Sequence, residues 1–362
     1  MHYSSIVVSA ILSAFLMPLV IDFAKRNKLY DSMDGRKIHS GNIPRLGGIG
    51  MFWAFFAVVL FFTFLGDRNL KGGLKEVLIS FLPLAFAASG MHFLGLADDI
   101  KSLPARYKFL IQSLCALIVV GSGFRFTGFT YGDAVLSGSW TWLSWLLSWG
   151  WIVGMTNALN LIDGMDGLAG GIAAIASLAF SAFYFLESRL AAAFVCITIT
   201  GVVIGFLFTN FPAPRAKLFM GDSGSLFLGF MLSVMPFLGQ VEEELTEGNA
   251  GFSPGLLPSM ALLALPIIDT LRAILRRWRA GLSLATPDRK HIHHRFLDLG
   301  FAPRRILMIV YALTVLQASA FLMARRMSPF TSNALSIVVV MLINGFFDFV
   351  SEAQSRKNDL QR

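Results

Sequence analysis

The sequence predicts an all-α polytopic integral membrane protein with about eleven transmembrane helices. Of its 362 residues, 55% are hydrophobic and only 14% are charged, whereas soluble domains carry roughly 25% charged residues. Apolar runs of the roughly 17–25 residues that a helix needs to cross a bilayer recur along the whole chain. A soluble protein has too little core to bury so many runs, so the chain is predicted to reside in a membrane.

Hydropathy places the predicted spans at short intervals along the chain. The first span ends in charges without the small-residue cleavage site of a signal peptide, so it is predicted to be retained. No long repeat or soluble domain interrupts the pattern, which predicts a single transmembrane domain over residues 1–362. The predicted spans cover residues 3–23, 47–66, 77–95, 107–123, 139–157, 167–186, 189–209, 224–240, 257–275, 306–325 and 332–350.

Basic residues concentrate in alternate loops, which predicts the orientation of the chain. The opposite set of loops is poorer in base and includes the glutamate-rich residues 242–247. The positive-inside rule assigns the basic loops to the cytoplasm, with the N-terminus outside and the C-terminus inside. Arg325 and Arg326 are an exception to this rule, because the predicted orientation places them outside. Topology and attraction to anionic lipid account for the net charge of +8, so no nucleic-acid partner is predicted. The basic loops are residues 25–45, 101–108, 215–217 and 276–305.

Four polar segments interrupt the apolar pattern, and all four lie on the predicted cytoplasmic side. The first contains the adjacent carboxylates Asp98 and Asp99 at the end of a span. A solvated helix end paired with Lys101 is one explanation. A carboxylate pair that binds a hard divalent cation or handles a proton is the other. Convergence of polar segments on one face is what an active site at a membrane surface requires.

The second segment places three amide and carboxylate side chains on one stripe. Asn157, Asn160 and Asp163 recur at intervals of three residues and lie roughly along one helix face. Asn and Asp form helices poorly, so packing does not explain the stripe, although a turn role could explain Asp163 or Asp166. Gly164 would let backbone N–H groups approach a ligand. The stripe therefore favours a functional site.

The third segment centres on Asp222, which directly precedes a span. Asp and Ser are favoured at helix N-caps, which is a sufficient structural reason for Asp222 and Ser223. That reason leaves Phe219 and the basic neighbours Arg215 and Lys217 unexplained. The functional alternative is a carboxylate ligand for a hard metal, followed by a helix N-terminus that attracts phosphate.

The fourth segment is a histidine cluster formed by His291, His293 and His294. Zinc is an alternative occupant, but no second Cys/His cluster supplies the remaining ligands of a tetrahedral site. The basic residues interleaved with these histidines favour a cluster of hydrogen-bond donors for a diphosphate over a zinc site. The interleaved residues are Arg289, Lys290 and Arg295. Carboxylates with base-rich loops, and no Walker A motif, indicate metal-assisted phosphoryl transfer.

These motifs together resemble the polyprenyl-phosphate N-acetylhexosamine-1-phosphate transferases, of glycosyltransferase 4 type. The resemblance runs from about residue 31 to 297 in the family's order. It rests on Asp98-Asp99, Asn157-x-x-Asn-x-x-Asp-Gly-x-Asp-Gly167, Phe219-Met-Gly-Asp222, the His-x-His-His cluster and Pro44-Arg-Leu-Gly-Gly48. The resemblance implies transfer of a sugar 1-phosphate from a UDP-sugar to undecaprenyl phosphate, with release of UMP. It also implies Mg²⁺ as cofactor, with Mn²⁺ as a substitute.

The same resemblance assigns expected roles to individual residues. Catalysis is expected of Asp98, Asp99 and Asp163, and metal ligation of Asp99, Asn160 and Asp222. Phe219 is similar to the aromatic residue that stacks on uracil. The expected substrate-binding residues are Phe219, Gly164, Asp166, Asn157, Lys37, Arg45, Lys101, Lys108, His291, His293, His294 and Arg295.

The loop around the histidines resembles the WecA and TagO type, which implies UDP-N-acetylglucosamine as donor and a role in starting cell-envelope glycan synthesis. Ile292 interrupts the three consecutive histidines normal in the related MraY type, which disfavours UDP-MurNAc-pentapeptide. The resemblance also implies the bacterial inner membrane, where membrane lipids surround the chain. Two alternative functions stay open, which are the same reaction with another UDP-N-acetylhexosamine and a lipid or solute transporter. The sequence also leaves open a two-step route through an aspartyl-phosphate, a homodimer and the role of residues 241–251.

Overall fold

A computed structural model shows a bundle of α-helices. The structure describes residues 2–29, 43–65, 79–129, 136–211, 215–240, 253–283, 286, 288 and 290–360. The helices are α1 His2–Arg26, α2 Gly47–Leu65, α3 Leu82–Lys101, α4 Ala105–Gly121, α5 Thr141–Ile162, α6 Leu168–Leu186, α7 Leu190–Asn210, α8 Gly221–Val234, α9 Leu256–Leu262, α10 Ala264–Arg279, α11 Ile292–Asp298, α12 Pro303–Ala324 and α13 Pro329–Leu360.

Seven helical segments are long and apolar enough to cross a membrane, and the bent pair α9–α10 would make an eighth. The prediction of an all-α polytopic membrane protein is therefore confirmed. The other three predicted spans correspond to α3, α4 and α5. Of these, α4 has only 17 residues, and α3 ends in two carboxylates and a lysine. The count of eleven spans and their orientation stay predictions.

Helix α8 lies at the centre of the bundle. A 3₁₀ turn, Met235–Phe237, follows its last residue, and every residue of the segment Gly221–Gln240 is buried except Asp222, which is half-buried. Helices α2, α3 and α5 pack around α8. The approach of α3 is close, because a Cβ on Gly95 would lie 2.2 Å from the carbonyl oxygen of Asp222. The N-terminus of α8 is thus held at the middle of one end of the bundle.

Helix α1 packs on the outside of α7 through small residues. Ser5, Ser9 and Ser13 are fully buried on α1, and the Ser13 hydroxyl donates to the carbonyl of Val202 at 2.7 Å. On α7, a Cβ added to Gly205 would lie 2.4 Å from the carbonyl oxygen of Ala10. Lipid tails are as apolar as the helices, so close backbone packing of small residues must stabilise such a contact.

The segment from α9 to α11 includes a sharp bend. Helices α9 and α10 meet at an angle of 87°, and α11 follows α10 after the basic segment. Arg325, which the positive-inside rule places on the wrong side, forms an ion pair with Glu187. The ion pair with Glu187 explains the position of Arg325 without reference to the orientation of the chain in the membrane.

The α1–α7 contact predicts that Gly205→Ala destabilises the protein. The added methyl group meets backbone that cannot rotate away, so the free energy of unfolding should fall by about 1–3 kcal/mol. Thermal unfolding in detergent measures this. Gly154→Ala is the matched control, because a Cβ there meets nothing within 4 Å. Equal melting temperatures for the two variants would contradict the packing described for α1.

Candidate active site

Asp99, at the C-terminal end of α3, caps the N-terminus of α8. Its two carboxylate oxygens accept hydrogen bonds from the backbone N–H groups of Asp222 at 2.8 Å and Ser223 at 2.9 Å. The first N–H groups of a helix have no intrahelical partner, and an anion there also favours the helix dipole. Asp99 therefore fixes the position of Asp222 relative to α3.

Two cations bridge the carboxylates at this helix end. Arg45 contacts Asp222 at 3.2 Å and Asp99 at 3.6 Å. Lys108, from α4, contacts Asp98 at 2.8 Å and Asp222 at 3.6 Å. The helix-end explanation of Asp98 named Lys101 as its partner, but Lys101 is exposed and Lys108 takes that place. Three carboxylates share two cations, so the ionised cluster is net negative and electrostatically suited to a further cation.

Asn160 is oriented by a residue that the sequence motifs did not single out. Its side-chain nitrogen donates to the hydroxyl of Ser225 at 2.8 Å, one turn along α8 from Asp222. This bond directs the amide nitrogen toward α8 and fixes where the amide oxygen points. Among the residues that the structure describes, no three His, Cys, Asp or Glu side chains group to hold a metal.

Asp163 and its neighbours form the loop between α5 and α6. Burial, and next the Asp222 carboxylate, raise the pKa of Asp163 to about 7. Asp166 and Asp99 act on Asp163 in the same direction, and Arg45 opposes them. The Asp163 carboxylate therefore lies close enough to Asp222, at the N-terminus of α8, for their charges to interact. Asn157, by contrast, pairs with Gln112, to which its amide nitrogen donates at 2.7 Å.

Asn210, at the end of α7, joins two loops of the site. Its side-chain oxygen accepts from the backbone N–H of Gly167 at 2.8 Å, and its nitrogen donates to the carbonyl of Leu218 at 3.0 Å. The Tyr311 hydroxyl donates to the carbonyl of Gly167 at 2.6 Å. The Asp163–Gly167 loop and the segment before Phe219 are thus held together by one buried amide.

Phe219 is half-buried and paired through its backbone with the Pro44–Gly48 segment. Its N–H donates to the carbonyl of Pro44 at 2.8 Å, and its carbonyl accepts from Gly47 at 3.0 Å. This pairing brings two motifs that are far apart in sequence to adjacent places. It also places Arg45, which follows Pro44, beside the α8 terminus.

The histidine cluster lies against the Asp163–Gly167 loop. His293 is buried, and a Cβ on Gly164 would lie 2.5 Å from its Nε2 atom. Neither ring nitrogen of His293 has a hydrogen-bond partner in the described part of the chain. Burial, reinforced by His294 and His291, lowers the pKa of His293 to about 3. His294 lies next to it, with ring centroids 4.2 Å apart.

Two carboxylates anchor the polar segment between α10 and α11. Asp288 accepts two hydrogen bonds from Arg276. Partial burial raises the pKa of Asp288, but the hydrogen bonds and charge of Arg276, the backbone N–H of Lys290 and the nearby His291 together lower this pKa below its ordinary value. Asp269 contacts His291 at 2.7 Å. Arg272, one turn from Asp269 along α10, pairs instead with Asp348 on α13.

Most of the predicted site residues converge on one end of the bundle. Arg295 lies at the margin of this end. Its guanidinium donates hydrogen bonds to the carbonyl of Lys290 at 3.0 Å and to the hydroxyl of Ser351. Lys37 and Arg289 lie outside the described residues. Roles in catalysis, metal ligation and substrate binding stay predictions for all of them. The residues that sequence reasoning missed are Gln112, Asn210, Ser225 and Tyr311; Gln112 could have been found as a polar residue in an apolar helix.

The fold and this site define a helical membrane protein with a carboxylate and base cluster at one end. The family model described as glycosyl transferase family 4 matches residues 81–240. A Mycobacterium tuberculosis H37Rv protein, named decaprenyl-phosphate N-acetylglucosaminephosphotransferase, is 34% identical over 295 residues, which is 76% of this chain and 70% of that protein.

Two further relatives extend the similarity. An Escherichia coli K12 protein, undecaprenyl-phosphate alpha-N-acetylglucosaminyl 1-phosphate transferase, is 27% identical over 88% of this chain and 82% of its own length. A Bacillus subtilis 168 protein with the name "Probable undecaprenyl-phosphate N-acetylglucosaminyl 1-phosphate transferase" is 28% identical over 98% and 92%. The chain belongs to glycosyl transferase family 4 and is a membrane phosphotransferase, which confirms the resemblance seen in its motifs.

The buried, unpartnered His293 predicts a pH-dependent stability. Its pKa is about 3 in the folded protein and about 6.5 in an unfolded chain. Between these values only the unfolded state takes up the proton, so stability falls as the pH drops below 6.5, by up to about 1.4 kcal/mol per pH unit.

Thermal unfolding in detergent at pH 7.5, 6.5 and 5.5 measures this dependence. His293→Asn should reduce the loss of stability over that range. The same acid dependence in wild type and His293→Asn would show that another group is responsible.

Proposed function

We propose that this protein transfers N-acetylglucosamine 1-phosphate from UDP-N-acetylglucosamine to undecaprenyl phosphate. The products are undecaprenyl-diphosphate-N-acetylglucosamine and UMP. One observation carries the proposal beyond the names of the relatives: Lys108 bridges Asp98 and Asp222 at the α8 N-terminus. Arg45 and Lys108 are cationic donors of the kind that bind phosphate groups. The carboxylates give the same place affinity for a metal.

The residues at this place fit Mg²⁺, with Mn²⁺ as a substitute. Asp222 and Asn160 would hold the ion, since carboxylate and amide oxygens are hard ligands. Mg²⁺ commonly binds through one or two protein side chains, substrate phosphates and water, so a three-carboxylate cage is not required. Both oxygens of Asp99 are engaged by α8 and its side chain is only 1% exposed, which favours a supporting role for Asp99. When bound, Mg²⁺ neutralises charge on the diphosphate and on the departing UMP.

The proposed chemistry is a direct in-line displacement. An oxygen of the lipid phosphate attacks the β-phosphorus of the UDP-sugar, and the bond from that phosphorus to the UMP oxygen breaks. The acceptor monoester has a second pKa of about 6 and is largely ionised already. Asp98, held by Lys108 and by the backbone N–H of Leu103 at 2.6 Å, orients the acceptor or removes a residual proton. Arg45 and Lys108 offset phosphate charge in the transition state.

The remaining substrate contacts follow from the same arrangement. Phe219 stacks on uracil beside Gly164 and Asp166, and the histidine cluster with Arg295 binds phosphates or sugar. The site faces the cytoplasm of a bacterial inner membrane, in a topology of about eleven spans with the N-terminus outside and the C-terminus inside. The lipid-linked product initiates a cell-envelope glycan such as O-antigen, enterobacterial common antigen or teichoic acid.

The reaction predicts lipid- and metal-dependent UMP release from UDP-N-acetylglucosamine by detergent-purified protein. Asp222→Asn should lower the rate by about 100-fold or more, since it removes the charged ligand that would hold Mg²⁺ without changing the shape of the side chain. Asp348→Asn, on an exposed part of α13, should retain the wild-type rate. UMP from a different UDP-N-acetylhexosamine alone would change the substrate, and no UMP from any donor would contradict the proposed reaction.

The Asn160–Ser225 hydrogen bond predicts a change in metal affinity. Ser225→Ala should raise the Mg²⁺ concentration for half-maximal rate by about tenfold, because a partner that orients a ligand is lost. Binding of Mn²⁺, followed by electron paramagnetic resonance, should weaken in parallel. Ser233→Ala is the matched control, a buried serine of α8 whose hydroxyl bonds within the helix to Phe230. Unchanged Mn²⁺ binding in Ser225→Ala would remove Asn160 from the metal site.

A further inference from the structure

Asp269 is a buried carboxylate near the start of α10, only 1% exposed. One of its oxygens lies 2.7 Å from Nδ1 of His291. The other accepts from the backbone N–H of Ile292 at 3.0 Å. A single carboxylate therefore holds both the ring of His291 and the first residue of α11. Burying a carboxylate is costly unless it is paired. The contact between them therefore stabilises the buried Asp269 carboxylate and also fixes the His291 ring.

The contact with Asp269 determines the tautomer of His291. An ionised carboxylate can only accept hydrogen bonds, so the proton on this side belongs to Nδ1. Nε2 is then left for a ligand, and within the described chain no hydrogen bond to it is found. A carboxylate that orients a histidine in this way also stabilises the positive charge that the ring gains on donating from both nitrogens.

His291 lies close to the other parts of the site. Its ring is parallel to that of His293, with centroids 6.1 Å apart and planes inclined by 7°. His293 in turn lies against Gly164 in the Asp163–Gly167 loop. The Asp269–His291 pair is therefore one ring removed from the loop that the proposed function assigns to the UDP-sugar.

We propose that Asp269 is a positioning residue for the donor diphosphate. It holds His291 with Nδ1–H on the carboxylate and Nε2 available to a phosphate oxygen of the nucleotide. When Nε2 takes a proton from solvent and donates to that oxygen, the Asp269 charge offsets the imidazolium. The inference rests on the proposed function for the identity of the ligand, but the His291 tautomer is independent of it.

A purely structural role for Asp269, as the cap of α11, makes different predictions. A cap affects folding, whereas a positioning residue affects the donor only through His291. Asp288 provides a matched control, because it also anchors this segment, through Arg276 and the backbone N–H of Lys290. Asp288→Asn should lower thermal stability without changing the KM for the donor.

A double-mutant cycle tests whether the two residues act as one unit. Asp269→Asn and His291→Gln should each lower kcat/KM for the UDP-sugar by about tenfold, mainly through KM. The double variant should lose no more than either single variant, because the interaction is removed once. Multiplied losses, or an Asp269→Asn enzyme with wild-type kcat/KM and reduced melting temperature, would overturn the proposal.

Nitrogen NMR on ring-labelled histidines gives a readout that does not depend on turnover. The chain has six histidines, and His291→Gln identifies the relevant signal. In the wild type Nδ1 should be protonated, and UMP with Mg²⁺ should shift the Nε2 signal; Asp269→Asn should abolish both features. An unprotonated Nδ1, or an Nε2 signal unmoved by UMP, would overturn the inference even in active enzyme. Absence of turnover with these NMR features intact would count against the proposed reaction alone.

Discussion

The two hydrogen bonds from the backbone of Asp222 and Ser223 to the Asp99 carboxylate are the interaction on which the site depends. A helix that starts in the middle of a bundle exposes N–H groups that neither lipid nor apolar side chains can satisfy. Asp99 satisfies two of them at once. In doing so it fixes the end of α3 against the start of α8, and every other charge at this end is arranged around that joint.

The close approach of α3 to α8 follows from the same joint. Gly95 leaves room for the Asp222 carbonyl, and the Asp98 and Asp222 carboxylates then fall within reach of one lysine. Carboxylates held this near one another repel unless cations lie between them. Arg45 and Lys108 serve that purpose from two other segments, so four parts of the chain must be in place before the cluster is electrostatically stable.

The sequence predicted the helical membrane class and most of the polar residues that meet at the site. It could do so because ionisable residues at span ends are rare and stand out against an apolar background. Partners were harder to predict. Lys101 is nearer to Asp98 in sequence, but Asp98 pairs with Lys108. Arg272 is one turn from Asp269, but Asp269 pairs with His291. Ser225 and Asn210 carry no signal, since small polar residues are ordinary in membrane helices.

The bridge formed by Asn210 has a consequence for motion. Because one buried amide bonds to Gly167 and to Leu218, the loops on the two sides cannot hinge separately without leaving that amide unsatisfied. They will move as one rigid body, if they move at all. A ligand bound beside these loops would then meet a preformed shape rather than a lid that closes around it.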